Sequence, residues 1–179
     1  TMFGYMHYNV QPDLICCGKG SSSSLPLSIV LGSKKIMDLP EIGTMSSTHS
    51  ANPLVCAAGM ANLEAIINDG LIEKSKSLGE YFHSELENIS TLFPDYRINV
   101  QGKGLLASMI FSDLSGKPLI ELCNRIAELC MQRGLLIVHT GRESIKLAPP
   151  LTIDKEALEE GIDVLKKVII DTIDEHKVF

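Results

Sequence analysis

Basic clusters are scarce in this sequence. The longest are the pairs Lys34-Lys35 and Lys166-Lys167, in a chain of 179 residues with a formal net charge of −6. A nucleic-acid surface needs a basic patch or stripe, so no nucleic-acid partner is expected. No apolar run approaches the roughly 18 residues that a membrane-spanning helix needs, so no membrane partner is expected either. Thr1-Met2-Phe3-Gly4-Tyr5 lacks the charged-then-apolar pattern of a secretory leader. No CxxC pair occurs among the five cysteines. Cys16 and Cys17 are adjacent on a predicted strand and face opposite ways. Cys123 and Cys130 are seven apart on a predicted helix and share its buried face. The pattern implies a reduced, cytoplasmic protein that uses cysteine as a small apolar residue. The histidines stand in no ligand spacing, so no metal site is expected. No internal repeat is visible.

What is present is apolar patterning. Hydrophobic residues make up 45% of the chain, enough for one ordinary domain or one and a half small ones. Residues 14–17 and 27–31 are short apolar runs that read as buried strands. Residues 33–38 allow a short helix. Asn52-Pro53 opens a longer one, with Asn52 as N-cap and proline at the first helical position. Its apolar set, Val55, Met60, Leu63, Ile66 and Ile67, recurs at helical spacing until Gly70 stops it. A second helix is predicted over 72–91. The texture then changes. Strands at 96–100 and 105–111, a helix over 118–132, strands at 135–138 and 144–147 and a helix from the N-cap Asp154 to about Asp174 describe an α+β unit.

One lysine stands out. Lys19 lies at the end of the apolar run Leu14-Ile15-Cys16-Cys17, between Gly18 and Gly20, followed by four serines and Leu25-Pro26-Leu27. A lysine taken at random is a solvated surface charge. Here the flanking glycines let the backbone turn sharply and let a bulky group come close. An amine between a buried strand and a tight turn is expected to be partly desolvated, which lowers its pKa and makes it nucleophilic. Small serine side chains leave room beside it.

Three blocks together resemble class III aminotransferases, pyridoxal-phosphate enzymes of fold type I. The first is Pro12-Asp13-Leu14-Ile15, Gly18-Lys19-Gly20 and Leu25-Pro26-Leu27. The second is Ser47-Thr48-His49-Ser50-Ala51-Asn52-Pro53-Leu54-Val55-Cys56-Ala57-Ala58. The third is Ser144-Ile145-Lys146-Leu147-Ala148-Pro149-Pro150-Leu151. The resemblance covers nearly the whole chain. It implies an α/β region joined to an α+β region: residues 1–71 as the end of the large cofactor-binding domain with the interdomain helix, and residues 72–179 as the small C-terminal domain. It also implies that the family's preceding half supplies the first strands of the large sheet, a glycine-rich phosphate loop and an aspartate for the pyridine nitrogen.

The function implied is transfer of an amino group between an amine or amino acid and a 2-oxo acid or aldehyde. Pyridoxal 5'-phosphate would be held on Lys19 as an internal aldimine, in a homodimer. Thr48 matches the threonine that contacts the cofactor phosphate of the neighbouring subunit, and a hydroxyl and backbone N–H groups before a helix N-terminus suit an anion. His49 and Ser50-Ala51 depart from the family's aromatic residue and glycine pair. Lys146 stands where many relatives carry the arginine that holds a substrate carboxylate. Lysine offers a point charge and no fork; Arg142, four residues earlier, is the other candidate. Aminomutases, racemases and phospho-lyases share the same fold and lysine, and a non-enzymatic interaction fragment is the remaining alternative.

Two further motifs dissolve on inspection. A Walker A loop needs glycine six residues before its lysine, and that position is Asp13. Gly102-Lys103-Gly104-Leu105-Leu106-Ala107 formally matches a dinucleotide fingerprint, which must open a helix. The residues that follow read as a strand, so a hairpin is expected there.

Overall fold

The computed structural model describes residues 1–176. It divides into two compact units, Thr1–Glu73 and Lys74–Phe179, with the boundary inside a helix.

In the first unit, β1 (Leu14–Cys17) pairs antiparallel with β2 (Ile29–Gly32), Leu14 opposite Gly32 and Cys17 opposite Ile29. A short helix α1 (Lys34–Met37) follows, then α2 (Pro53–Asn68). The expected start of α2 is present. The Asn52 side chain accepts hydrogen bonds from Leu54 N at 3.0 Å and Val55 N at 3.4 Å, with Pro53 in the first turn. Gly70 follows the helix at φ +64°, a conformation glycine takes without Cβ strain.

Burial departs from expectation here. The strands read from their apolar runs as buried, yet Leu14, Val30 and Leu31 are each more than two-fifths exposed. Each of β1 and β2 has a single strand neighbour, so apolar side chains remain uncovered. The α2 stripe is likewise partial: Val55, Leu63 and Ile66 are half-buried, whereas Met60 and Ile67 are exposed.

In the second unit, four strands form an antiparallel sheet in the order β3 (Tyr96–Lys103), β4 (Leu106–Asp113), β6 (Ser144–Leu147), β5 (Val138–His139). Alternation along β4 buries Ala107, Met109 and Phe111, and β6 adds Ile145 and Leu147. These meet α3 (Leu71–Thr91) through Phe82, Leu86 and Ile89, and α4 (Ile120–Gln132) through Leu122, Cys123, Ile126 and Cys130. The last helix, α5 (Lys155–His176), brings Leu158, Ile162, Leu165 and Ile169, the helical spacing of one buried face. Asp154 caps it, accepting from Ala157 N at 3.0 Å.

The segment 102–107 is a hairpin, as expected. Lys103 pairs with Leu106, and Gly104 turns the chain at φ +56°. A Cβ added to Gly79 on α3 would lie 2.5 Å from the Gly104 Cα, so the helix and hairpin meet backbone to backbone. The strand expected at 135–138 is shorter and later, Val138–His139. The Leu135 N–H is used to close α4, donating to Cys130 O at 2.9 Å across Gly134 at φ +84°. That helix stop leaves Leu135 outside the sheet ladder. No single helix among the described residues is long and apolar enough to cross a membrane. No group of three metal-ligating side chains occurs among them.

Candidate active site

The strand β1 delivers its chain to Gly18, which is extended at φ −162°. The turn then falls on Lys19 itself, at φ +44°. The flanking glycines were expected to carry the sharp turn; instead the lysine occupies the left-handed region. A side chain there costs on the order of 1 kcal/mol, because Cβ crowds the following carbonyl. Such outliers persist where surrounding contacts over-determine them.

Those contacts are local and polar. Ser21 N donates to Gly18 O at 3.0 Å and Ser21 Oγ to the same oxygen at 3.2 Å. Ser22 is buried, and its hydroxyl donates to Leu25 O. From α2, the Asn62 amide nitrogen donates to Gly20 O at 2.8 Å and to Ser21 O at 3.2 Å. One turn earlier on the same helix Gly59 is buried, and a Cβ there would lie 2.6 Å from a Leu27 methyl. The Lys19 side chain itself is exposed, which corrects the expected desolvation: β1 and its one neighbour do not cover it.

Thr48 is exposed in the turn that precedes α2. The turn is closed by Ser47 and Ser50. Ser50 N donates to Ser47 O at 3.0 Å, and Ser47 N to Ser50 Oγ at 3.1 Å. Ala51 follows at φ +53°. The Asn52 side chain occupies the N–H groups of Leu54 and Val55 in the first turn of α2. The Thr48 hydroxyl stands ahead of them in the turn before the helix.

Arg142 and Lys146 lie in the second unit, on the β5–β6 turn and on β6. The Arg142 side chain is 78% exposed, 3.5 Å from its neighbour Glu143. Lys146 is exposed and stands opposite Ser108 on β4 and Val138 on β5. The turn between the strands is fastened by Thr140, whose hydroxyl is 2.8 Å from that of Ser144. The structure thus gathers Lys19 and its loop against α2 in one unit, and Arg142 with Lys146 on one hairpin in the other.

A family model described as Aminotransferase class-III matches residues 1–169. The chain belongs to the class III aminotransferases. Among relatives of this aminotransferase chain is the 4-aminobutyrate aminotransferase of Mycobacterium leprae, 34% identical over 175 residues, covering 96% of this chain and 39% of that protein. The alanine/serine racemase of Pyrococcus horikoshii is 33% identical over 168 residues, covering 93% and 35%. Among solved structures, acetylornithine aminotransferase from Elizabethkingia anophelis superposes with a TM-score of 0.84 at 32% identity, covering 96% of this chain and 42% of that one. The chain therefore spans about two-fifths of the length of the relatives it matches, and its fold is part of the fold of pyridoxal-phosphate transaminases.

The residues present fit such a cofactor. An aldehyde needs a primary amine, and Lys19 Nζ is exposed beside a loop of small side chains. A Cβ at Gly20 would meet nothing within 4 Å, so the backbone there leaves space. A phosphate needs neutral donors as well as charge, and Thr48 carries a free-standing hydroxyl in an exposed turn.

Sequence reasoning missed Asn62 and Gly59. The available signal was a polar residue inside the apolar helix Pro53–Asn68, one turn from its single internal glycine.

Proposed function

We propose that this chain carries the lysine and part of the phosphate site of a pyridoxal-phosphate-dependent aminotransferase. The enzyme would act on small amino donors and on 2-oxo acid or aldehyde acceptors, as a homodimer. Five free cysteines fit a reduced, cytoplasmic setting. One observation carries the reading: Lys19, held in a strained conformation at the end of β1, lies between Gly18 and Gly20 in the block that resembles this family's cofactor-lysine segment.

The cofactor, when bound, supplies the electron sink for a carbanion at the substrate's α-carbon. Lys19 Nζ would hold the cofactor through its aldehyde carbon. When free, the same amine would serve as the base that takes the substrate's α-proton and as the acid that hands it on. Thr48 Oγ1 would donate to a phosphate oxygen, in the pocket of the neighbouring subunit. A substrate carboxylate would be met by Arg142 as a two-pronged partner or by Lys146 as a point charge. The exposed apolar residues of the first unit, Leu39, Ile42 and Met45 among them, are the surface that a second subunit would cover.

A second reading has its own support. Lys146 in place of arginine, together with a racemase among the relatives, keeps open a racemase, aminomutase or phospho-lyase using the same lysine.

The test is made in the enzyme that carries this chain. Borohydride reduction followed by peptide mapping should place the pyridoxyl group on Lys19. Lys19→Ala should abolish the bound-cofactor absorbance and cut turnover by orders of magnitude, because nucleophile and proton carrier are lost together. Thr48→Ala should weaken cofactor retention by about 1–2 kcal/mol, the scale of a hydrogen bond to a charged group. Labelling of another lysine would overturn the assignment.

A further inference from the structure

We infer that Asn62 is a positioning residue for Lys19. It acts as an amide clamp on the two carbonyls that follow the lysine. The inference rests on the reading of Lys19 as the cofactor lysine, and deepens it.

Lys19 stands at φ +44°, where a residue with a Cβ does not settle unaided. The chain on its N-terminal side is fixed by β1, through Cys17 opposite Ile29. The chain on its C-terminal side has no strand to fix it. There the carbonyls of Gly20 and Ser21 both receive the Asn62 amide, at 2.8 Å and 3.2 Å. Carbonyl oxygens only accept, so only the NH2 end of the side chain can make both bonds, and its two hydrogens serve one each. The amide bridges 41 and 42 positions of sequence, where the other polar contacts of the loop span two or three. It is therefore what ties the lysine loop to the helix.

Packing places the clamp. Asn62 and Gly59 are three apart on α2 and share a face. Gly59 lacks a side chain where the Leu27 methyl approaches, so the loop can lie close enough for the amide to reach. Fixing the carbonyls of Gly20 and Ser21 orients the peptide planes after Lys19. It thereby restricts the directions in which Lys19 Nζ can be presented.

The experiment compares the enzyme that carries this chain with its Asn62→Ala and Asn62→Asp variants. The first removes the amide. The second keeps its size but sets a carboxylate against two carbonyl oxygens. Amide hydrogen exchange is followed for a peptide spanning residues 18–25, with one from α5 as the internal reference. Pyridoxal phosphate with borohydride is used in parallel to measure the share of pyridoxyl label on Lys19 relative to Lys166. Exchange over 18–25 should accelerate about tenfold in Asn62→Ala, the loss of roughly one net hydrogen bond, and further in Asn62→Asp. The α5 peptide and the thermal midpoint should be unchanged. The Lys19 share of label should fall in both variants, an effect that a purely structural role for Asn62 would not produce. Unaltered exchange over 18–25 in both variants, or faster exchange with an unaltered Lys19 share, would overturn the clamp. A faulty cofactor reading shows itself separately: Lys19 would then have no preference over Lys166 in the unsubstituted enzyme.

Discussion

The two units of this chain stand on different physics. From Lys74 onward, three helices and a sheet enclose a continuous apolar core that includes Leu86, Met109, Phe111, Ile126, Ile145 and Ile169, all buried. Among the described residues of the first unit only Ser22, Gly59 and Leu71 are buried, while Leu39, Ile42, Met45 and Leu54 are at least 70% exposed. Lys19 and Thr48, the residues proposed to hold the cofactor, belong to this second kind of structure. Their geometry depends on short polar devices: the Asn52 cap, the Ser47–Ser50 turn, the Ser22 hydroxyl and the Asn62 amide. The lesson is that a core does not have to surround a site for the site's backbone to be specified. Hydrogen bonds to loop carbonyls can hold a strained residue where burial does not.

The contrast should appear most strongly in thiol chemistry. Burial pushes the Cys123 thiol up to about 12, with Glu143 adding to the effect, and the Cys130 thiol up to about 11. Cys16 and Cys56 are exposed. Only the thiolate is alkylated. At pH 8, iodoacetamide should therefore modify Cys16 and Cys56 roughly a hundred- to a thousandfold faster than Cys123 and Cys130. Both buried thiols have folded values above their unfolded value of 9.0. Their protonated form thus contributes stability that is fully present below pH 9 and is lost as pH rises through about 11 to 12. Mass spectrometry of peptides alkylated over a pH series checks both statements. Equal rates at all four cysteines would erase the distinction between the units.

Truncation comes next in size. Met109 is fully buried at the centre of β4, so Met109→Ala should cost about 2–5 kcal/mol by lost burial and cavity formation. Val30 on β2 is 44% exposed, and Val30→Ala should change stability by less than about 0.5 kcal/mol. Urea unfolding monitored by circular dichroism measures both. Comparable losses would mean that β2 belongs to a core of its own.

The smallest effect lies at the surface of the second unit. Asp113 Oδ1 accepts from Ser115 Oγ at 2.6 Å, Ser115 N at 2.8 Å and Lys117 N at 2.9 Å. The Ser115 hydroxyl foremost, and then the Lys117 N–H, hold its carboxyl below the ordinary 3.8. A depressed folded value contributes stability above the unfolded pKa, and that contribution fades as pH falls from there through the folded value. Asp113→Asn keeps an acceptor in place and removes the titration. The variant should be slightly less stable than the parent at pH 7, and the difference should close as pH falls below about 4. A difference as large below pH 4 as at pH 7 would show that something other than titration is at work.

Much of this was legible before any coordinates. Hydrophobic spacing and caps located the helices, because Asn52-Pro53, Gly70 and Asp154 act through bonds to residues two to four positions away. The hairpin at 102–107 was readable from its glycines and from the apolar alternation after it. The lysine block, with the threonine and proline-rich blocks in order, was enough to point to the family that matches residues 1–169. Those signals are local, and local chemistry is written in local sequence.

Other features were decided in three dimensions. The apolar runs at 14–17 and 27–31 read as buried, but burial depends on what lies across a strand, and β1 and β2 have only each other. The strand expected at 135–138 gave up its first N–H to the end of α4, a competition between two hydrogen-bond partners that composition does not rank. The sharp turn beside Lys19 fell on the lysine and not on Gly18 or Gly20, since all three positions can bend and the hydrogen bonds around the loop select one. The Asn62 clamp was invisible for the same reason. Its two bonds join residues more than 40 positions apart, and only folding brings an amide on α2 to the carbonyls that follow Lys19.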